Sequence, residues 1–237
     1  MFTWLMRNKL TSIWPATIFG CALDYTLLKV KPGSRPFAGR ALGVQWLVFC
    51  VHVLVCTHNG KAQSLPAVRY QQIKSHSLWQ VQNKQHQLLP DDDSTVIITL
   101  LSPECPMCQY YVPLLNGLQQ QYKGRVHVAG IIPGKAYTQS EIEDFLQHYN
   151  LQWPVWVDSS LMLTNMLQGR VTPEVFLFNT QGKLVYQGAI DNWMTDLGKK
   201  KPKANQHYLQ QALEATVKGL PVKQPFQKAA GCRINDY

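Results

Sequence analysis

The sequence predicts an α/β protein with three layers, in which helices flank both faces of a central mixed β-sheet. Apolar runs typical of buried strands alternate with amphipathic helical segments between residues 95 and 167. Two further strand-like runs around the turn Asn179-Thr180-Gln181-Gly182 predict an antiparallel hairpin in the same sheet. The 237 residues, 46% of them apolar, are sufficient for the core of one such domain.

The first half of the domain supplies two buried strands and a long helix. Residues 63–94 are Gln-rich with scattered apolar anchors, and we expect a short strand or hairpin there that packs against the core. The apolar run 95–101 predicts a buried strand, and 126–132 predicts a second one. Between them, apolar residues at helical spacing predict a helix over 106–122 that Pro113 should kink.

The second half completes the sheet with a hairpin. The predicted elements are a helix over 140–149 whose capping start is 140–143, a short strand or loop over 154–158, a short helix over 160–167, a hairpin of 175–178 with 183–186, and a closing helix over 205–218. The order is strand, helix, strand, helix, hairpin, helix. An antiparallel hairpin in an otherwise parallel arrangement makes the sheet mixed.

Residues 1–62 predict a targeting region rather than a folded domain. Arg35 and Arg40 precede the apolar run 41–56, which is short for a helix that spans a membrane. The small-x-small pattern Gly60-Lys61-Ala62 favours a secretory signal peptide cleaved near Ala62, with an uncleaved anchor over 41–56 as the alternative. We therefore expect a periplasmic or secreted protein, which is membrane-anchored if the segment stays uncleaved.

These patterns divide the chain into four parts. They are an N-terminal extension with the signal peptide or anchor (1–62), a β extension (63–94), the α/β domain (95–220) and a C-terminal tail (221–237). Cleavage after Ala62 leaves three cysteines, Cys105, Cys108 and Cys232, in an oxidising compartment. One pair and one odd thiol result, and Cys232 is a third redox partner, a metal ligand or a free thiol.

The formal charge of +9 does not indicate binding to nucleic acid. Residues 1–62 carry seven Lys and Arg against one acid, whereas the remainder carries sixteen against thirteen. The basic run Lys199-Lys200-Lys201-Pro202-Lys203 has no interleaved aromatic residue and is typical of a solvated loop. We expect no nucleic acid partner.

The segment Ser102-Pro103-Glu104-Cys105-Pro106-Met107-Cys108 carries the chemistry of the chain. It follows a predicted strand and opens a predicted helix, where unpaired backbone N–H groups and the helix dipole favour a thiolate over a thiol. A second cysteine one helical turn later can close a small disulfide with the first. The pair can therefore cycle between dithiol and disulfide.

The order of elements and the Cys-x-x-Cys motif resemble the thioredoxin fold over roughly residues 90–220, and within it the redoxin branch of thiol-disulfide oxidoreductase and peroxiredoxin-like families. Thr172-Pro173 before the hairpin matches that branch as well. The resemblance implies a cis Pro173 and a Thr172 that lines a groove for a bound peptide. It also implies disulfide exchange, in which an exposed Cys105 attacks and a more buried Cys108 resolves the mixed disulfide.

The partners implied are protein disulfides or dithiols and a membrane or periplasmic redox partner, and we expect no cofactor and no metal. Two residues depart from the thioredoxin pattern: Thr99 replaces a buried Asp, and Glu104 replaces a Trp. Glu104 is a candidate substitute proton acceptor or a solvated loop residue, and its charge would oppose a thiolate. Asp191, after the last predicted strand, is either a residue that shapes the site or a turn cap.

A peroxiredoxin-like thiol peroxidase, with antioxidant activity, is the first alternative function. Its motif Pro-x-x-x-Thr/Ser-x-x-Cys is half matched by Ser102 and Cys105, because Ile98 occupies the proline position. The arginine that would hold the peroxide has one candidate nearby, Arg170.

A copper chaperone like the Sco proteins is the second alternative. Those proteins space their cysteines by three and add a histidine ligand, whereas the spacing here is two. His127 falls inside a predicted strand and His148 on a predicted helix, positions more typical of structural histidines. A zinc site is disfavoured because the sequence has no second Cys-x-x-Cys and no histidine pair at ligand spacing.

Overall fold

The structure is a computed structural model, and it describes residues 64–90, 94–196 and 198–234. The predicted signal peptide or anchor over 1–62 lies outside the described residues. Within those three ranges, no helix combines the length and the apolar character needed to cross a membrane.

An eight-stranded mixed sheet forms the centre of the domain, as the sequence predicts. The strands in chain order are β1 (Leu78–Gln80), β2 (Gln85–Gln87), β3 (Thr95–Leu100), β4 (Val126–Pro133), β5 (Val155–Asp158), β6 (Val171–Thr172), β7 (Glu174–Phe178), β8 (Leu184–Gly188), β9 (Met194–Asp196), β10 (Lys199–Lys200), β11 (Phe226–Gln227) and β12 (Cys232–Arg233). The spatial order in the large sheet is β11-β8-β7-β3-β4-β5-β1-β2, and β10-β9 and β12-β6 form two separate pairs. Strand β3 pairs in parallel with β4 and antiparallel with β7.

Five helices lie in the described ranges. They are α1 (Tyr70–Lys74), α2 (Pro106–Gln121), α3 (Gln139–His148), α4 (Met162–Met166) and α5 (Tyr208–Val217). The last four confirm the predicted helices, with α2 continuing through Pro113. The predicted hairpin before the first core strand is present as β1 and β2, and α1 precedes it as an unpredicted single turn.

The capping start predicted at Ser140 is wrong by two residues, because the N-cap of α3 is Thr138. The Thr138 hydroxyl accepts a hydrogen bond from the Glu141 backbone N–H at 3.3 Å, and the Glu141 carboxylate accepts one from the Thr138 backbone N–H at 2.7 Å. This capping box satisfies two N–H groups that the start of a helix otherwise leaves unpaired. The Thr-x-x-Glu spacing of Thr138 and Glu141 therefore marks the start of this helix in the sequence.

The two faces of the sheet bury separate apolar clusters, because successive side chains of a strand point to opposite faces. From β3, Ile97 belongs to the cluster that α2, α3 and α5 cover. Val96, Ile98 and Leu100 belong to the cluster that α1 and α4 cover. Every residue of β3 is buried, which places this strand at the middle of a three-layer domain.

The C-terminal tail contributes two strands to the fold. Strand β11 adds in parallel to the edge of the sheet at β8, where the backbone N–H of Ala189 donates to the Gln227 carbonyl at 2.9 Å. Gly188 allows this approach: its φ is +129°, and a Cβ at this position would lie 1.6 Å from the Gln227 carbonyl oxygen. Strand β12 then pairs antiparallel with β6.

We expect Gly188→Ala to lower the free energy of unfolding by about 2 kcal/mol, because alanine there combines an unfavourable φ with a backbone clash. Urea unfolding measures the change. Gly117→Ala in α2 is the matched control, since its Cβ meets open space, and it should stabilise by about 0.5–1 kcal/mol. Equal effects of the two substitutions would contradict the role assigned to Gly188.

Candidate active site

The end of β3 places Cys105 at the start of the longest helix. A turn closed by a hydrogen bond from the Cys105 backbone N–H to the Ser102 carbonyl, 3.1 Å, connects the strand to α2. Cys105 is the N-cap residue with extended backbone, and Pro106 occupies the first helical position. The thiol therefore lies at the positive end of the helix dipole, among N–H groups without intrahelical partners.

Three free cysteines meet at this helix end. The Cys108 sulfur lies in the first turn of α2 and accepts a hydrogen bond from the Ser102 backbone N–H at 3.4 Å. The Cys232 sulfur, from the other end of the domain sequence, lies 2.6 Å from the Cys105 sulfur. The structure thus brings the odd cysteine of the sequence to the Cys-x-x-Cys pair.

The three thiols differ strongly in acidity. Hydrogen bonds from the Cys108 thiol, and then from the Cys232 thiol and the backbone of both residues, lower the pKa of Cys105 to about 5 in spite of its burial. Burial and the neighbouring Cys105 raise the pKa of Cys108 well above its usual value, and the same causes raise that of Cys232 to about 12. Cys105 is therefore the thiolate at neutral pH, and its two neighbours are thiols that donate to it.

The expectation that Cys105 is exposed is wrong, because its side chain is only 1% exposed. Strand β12 holds Cys232 against it, in addition to the packing from α2. Cys108 is fully buried, in agreement with the expected order of burial.

Thr172 and Pro173 border the sulfurs. The Thr172–Pro173 peptide bond is cis, as the resemblance implies. The Thr172 carbonyl oxygen lies 3.2 Å from the Cys105 sulfur and accepts a hydrogen bond from it when the thiol is protonated. Thr172 is also the register partner of Cys232, so one residue contacts both cysteines.

Ser102 and Glu104 lie on the side of the helix end that faces α3. The Ser102 hydroxyl shares a 2.7 Å hydrogen bond with the Tyr137 hydroxyl, a residue that the sequence analysis did not identify because a lone loop tyrosine carries no motif. Glu104 is exposed and, with Pro103 and Tyr137, lines one wall of an open cleft of about 720 Å³.

Other residues singled out in the sequence lie within structural elements. Thr99 is fully buried, and its hydroxyl has no hydrogen-bond partner among the described residues. The backbone N–H of Arg170 donates to the buried Glu174 carboxylate at 3.0 Å. His127 lies in β4 and His148 ends α3, as predicted. Across the described ranges, no group of three or more His, Cys, Asp and Glu side chains is arranged to hold a metal ion.

Asp191 caps a turn and anchors α2. Its carboxylate accepts hydrogen bonds from the Tyr111 hydroxyl at 2.5 Å and from the Trp193 backbone N–H at 2.8 Å. Burial and the hydrogen bond to Asp191 both raise the pKa of Tyr111. The Trp193 ring stacks on Tyr110 with centroids 3.7 Å apart. From the sequence, Asp191 is interpreted either as a residue that shapes the site or as a turn cap, and these contacts favour the turn cap.

A family model described as Redoxin matches residues 62–205. A comparison with curated protein sequences found no match. Among solved structures, the chain is similar to a hypothetical protein from Sinorhizobium meliloti 1021, with 21% identity, a TM-score of 0.61 and coverage of 73% of this chain and 95% of that one. It is also similar to an uncharacterized conserved protein from Geobacillus kaustophilus, with 19% identity, a TM-score of 0.60 and coverage of 75% of this chain and 94% of that one.

A secreted disulfide oxidoreductase from Mycobacterium tuberculosis is also similar, with 15% identity, a TM-score of 0.40 and coverage of 48% of this chain and 82% of that one. The two structures with the higher TM-scores share the thioredoxin-like α/β fold of this chain over most of their own length.

We expect Cys108→Ala to raise the pH midpoint of Cys105 ionisation from about 5 to about 6 or higher, because it removes the strongest hydrogen bond to the thiolate. Ultraviolet absorbance of the thiolate measures the midpoint in a reduced chain whose cysteines within residues 1–62 are replaced by serine. If the absorbance transition at low pH is absent from Cys105→Ser, that transition belongs to the Cys105 thiol. An unchanged midpoint in Cys108→Ala would refute the assignment of Cys108 as the main donor.

We expect Asp191→Ala to lower the free energy of unfolding by about 2 kcal/mol, because the buried Tyr111 hydroxyl and the Trp193 N–H both lose their acceptor. Asp196→Ala is the matched control, since Asp196 is exposed and its carboxylate forms a surface ion pair with Lys199. Its effect in the same urea titration should stay within about 0.5 kcal/mol. Similar losses in both variants would rule out a buried anchor at Asp191.

Proposed function

The chain is a thioredoxin-like oxidoreductase of the Redoxin family, and from that premise we propose that it exchanges disulfides with protein substrates through Cys105 and Cys108. The observation that carries the proposal is the position of Cys105. It is a thiolate at a helix N-terminus with a second thiol of the same helix turn directed at it.

The first step is attack by Cys105. Its thiolate displaces one sulfur of a substrate disulfide, so that a Cys105–substrate disulfide forms and a substrate thiolate leaves. The hydrogen bonds that lower the pKa of Cys105 keep it ionised at neutral pH, although a thiolate of low pKa is also a weaker nucleophile and a better leaving group. The reverse reaction, in which a substrate thiolate attacks Cys105, uses the same geometry.

The second step is resolution by Cys108. Its thiol loses a proton, which the departed substrate thiolate takes up, and its sulfur attacks Cys105 to form the Cys105–Cys108 disulfide. The second substrate sulfur leaves, so that the substrate gains two electrons and the protein pair loses two. Burial holds Cys108 neutral until the mixed disulfide has removed the charge on Cys105.

We propose that the substrates are periplasmic or secreted proteins with disulfides or dithiols, and that a membrane or periplasmic partner restores the redox state of the pair. The apolar run 41–56 and the cleavage pattern at Ala62 support this location. Thr172 and Pro173 form the proposed substrate-binding edge, since the Thr172 carbonyl contacts the reactive sulfur.

The test is thiol trapping with mass spectrometry on the full chain, with the cysteines of residues 1–62 replaced by serine, across a glutathione redox series. We expect a reversible Cys105–Cys108 disulfide whose midpoint gives the redox potential and hence the direction of exchange. We expect Cys105→Ser to abolish reduction of a peptide disulfide, and Cys108→Ser to accumulate the mixed disulfide with that peptide.

Two results would reject dithiol exchange. One is a Cys105–Cys108 pair that stays reduced at every glutathione ratio. The other is a Cys105 that reacts with peroxide to a sulfenic acid while it leaves the peptide disulfide intact, which would favour a thiol peroxidase. The matched control is Gly117→Ala, whose added Cβ contacts nothing and which should exchange disulfides at the wild-type rate.

A further inference from the structure

The C-terminal segment, defined as residues 228–234, lies on the candidate active site. Within it, β12 pairs antiparallel with β6, so that Cys232 stands opposite Thr172. Two residues after Cys232, the backbone N–H of Ile234 donates to the Arg170 carbonyl at 3.2 Å. The Ile234 side chain packs against the apolar cluster on the α1 and α4 face of the sheet. The segment is therefore held by backbone pairing and by apolar burial next to its cysteine.

The backbone of the C-terminal segment lies very close to the backbone of Thr172 at Gly231. A Cβ at Gly231 would lie 2.5 Å from the Thr172 carbonyl oxygen and 2.9 Å from the Thr172 carbonyl carbon, which are both backbone atoms. Any residue other than glycine would push β12 away from β6. The residue directly before Cys232 is thus of the type that allows the pairing.

The segment also controls access to the reactive sulfur. Cys105 is 1% exposed, and the Cys232 sulfur lies 2.6 Å from it, within reach of a covalent bond after little movement of the chain. A substrate sulfur that attacks or is attacked by Cys105 has to reach the same atom. It can do so only after Cys232 has moved away, because the two sulfurs would otherwise overlap.

We propose that the C-terminal segment is an intramolecular substrate, whose Cys232 occupies the place of a substrate sulfur, forms a disulfide with Cys105 and closes the site until Cys108 reopens it. The inference rests on the proposed function, since it assigns to the same Cys105 a second exchange partner. An extended segment that adds to a short exposed strand is also a common way for a protein to bind a peptide.

The chemistry balances as two exchange steps. A substrate disulfide converts Cys105 to a mixed disulfide, and the Cys232 sulfur then displaces the remaining substrate sulfur to form Cys105–Cys232, giving its proton to the first substrate thiolate. Attack by the Cys108 sulfur on Cys105 breaks that bond and forms Cys105–Cys108. Cys232 leaves as a thiolate and takes up the proton of Cys108, so the protein loses two electrons in total and the substrate gains two.

The first experiment measures how strongly the fold presents Cys232 to Cys105. The protein is the full chain with Cys108→Ser and with the cysteines of residues 1–62 replaced by serine, equilibrated in glutathione mixtures. We expect a Cys105–Cys232 disulfide with an effective concentration of about 0.1 M or more, against about 1 mM for a flexible tail. A value near 1 mM would overturn the proposal.

Gly231→Ala in the same chain tests the cause, because it keeps both cysteines that form the bond, Cys105 and Cys232, and disturbs only the strand pairing. We expect it to lower the effective concentration at least tenfold, and Gly117→Ala, the matched substitution at an open position, to leave it unchanged. In the chain that retains Cys108, we expect Gly231→Ala to speed the first reaction of Cys105 with a peptide disulfide about tenfold. Equal behaviour of the two alanine variants would overturn the proposal.

Cys232→Ser separates this inference from the proposed function. If the variant still forms a reversible Cys105–Cys108 disulfide and reduces the peptide, while Cys108→Ser forms no Cys105–Cys232 bond above the flexible-tail level, only the inference fails. If Cys232→Ser forms no reversible Cys105–Cys108 disulfide at any glutathione ratio, the proposed function fails. A Cys105–Cys232 bond formed in the same glutathione mixtures by the chain with Cys108→Ser would then identify Cys232, and not Cys108, as the exchange partner of Cys105.

Discussion

The pairing of β3 with β7 is the constraint on which the site depends. These strands are antiparallel and in register from Val96 opposite Phe178 to Leu100 opposite Glu174. The end of β3 therefore lies beside the start of β7, and the loop to Cys105 meets the residues Thr172 and Pro173 that precede Glu174. A shift of this register by one residue would exchange the three apolar residues of one face, Val96, Ile98 and Leu100, with the Thr-Ile-Thr set of the other face. The different packing of the two buried faces therefore fixes the geometry of the sulfurs.

The sequence predicts the parts of the site that local patterns encode. The buried run of β3, the helical spacing of α2 and the Cys-x-x-Cys between them placed Cys105 at a helix start correctly. The position of Cys232 was beyond such reasoning. Strand β12 has two residues, too few for a periodicity, and its partner lies 60 positions earlier in the chain. The expectation that Cys105 is exposed fails for the same reason. The C-terminal segment covers Cys105, and local sequence patterns do not show where that segment lies.

The negative charge at the site lies on the Cys105 sulfur, and β3 supplies no carboxylate beside it. Thr99 stands in the strand where the thioredoxin pattern has an acid, and it is buried. The stabilisation of the Cys105 thiolate therefore comes from the two neighbouring thiols and from the helix end. Because the pKa values of Cys108 and Cys232 are raised while that of Cys105 is lowered, the protons stay on the two sulfurs proposed to resolve, and the charge stays on the sulfur proposed to attack.

This arrangement explains how one site can be covered and still react. The cover is a two-residue strand with one further backbone hydrogen bond, and each such bond contributes only about 1 kcal/mol net. Because the Ile234 side chain also packs on the sheet, opening the segment should cost about 2 kcal/mol or more, which leaves at most a few per cent of the molecules open at any time. A protein substrate that offers its own extended strand to β6 regains those hydrogen bonds, whereas a small disulfide does not. Under the proposed function, the short length of β12 would thus favour strand-forming protein substrates over small disulfides without preventing turnover.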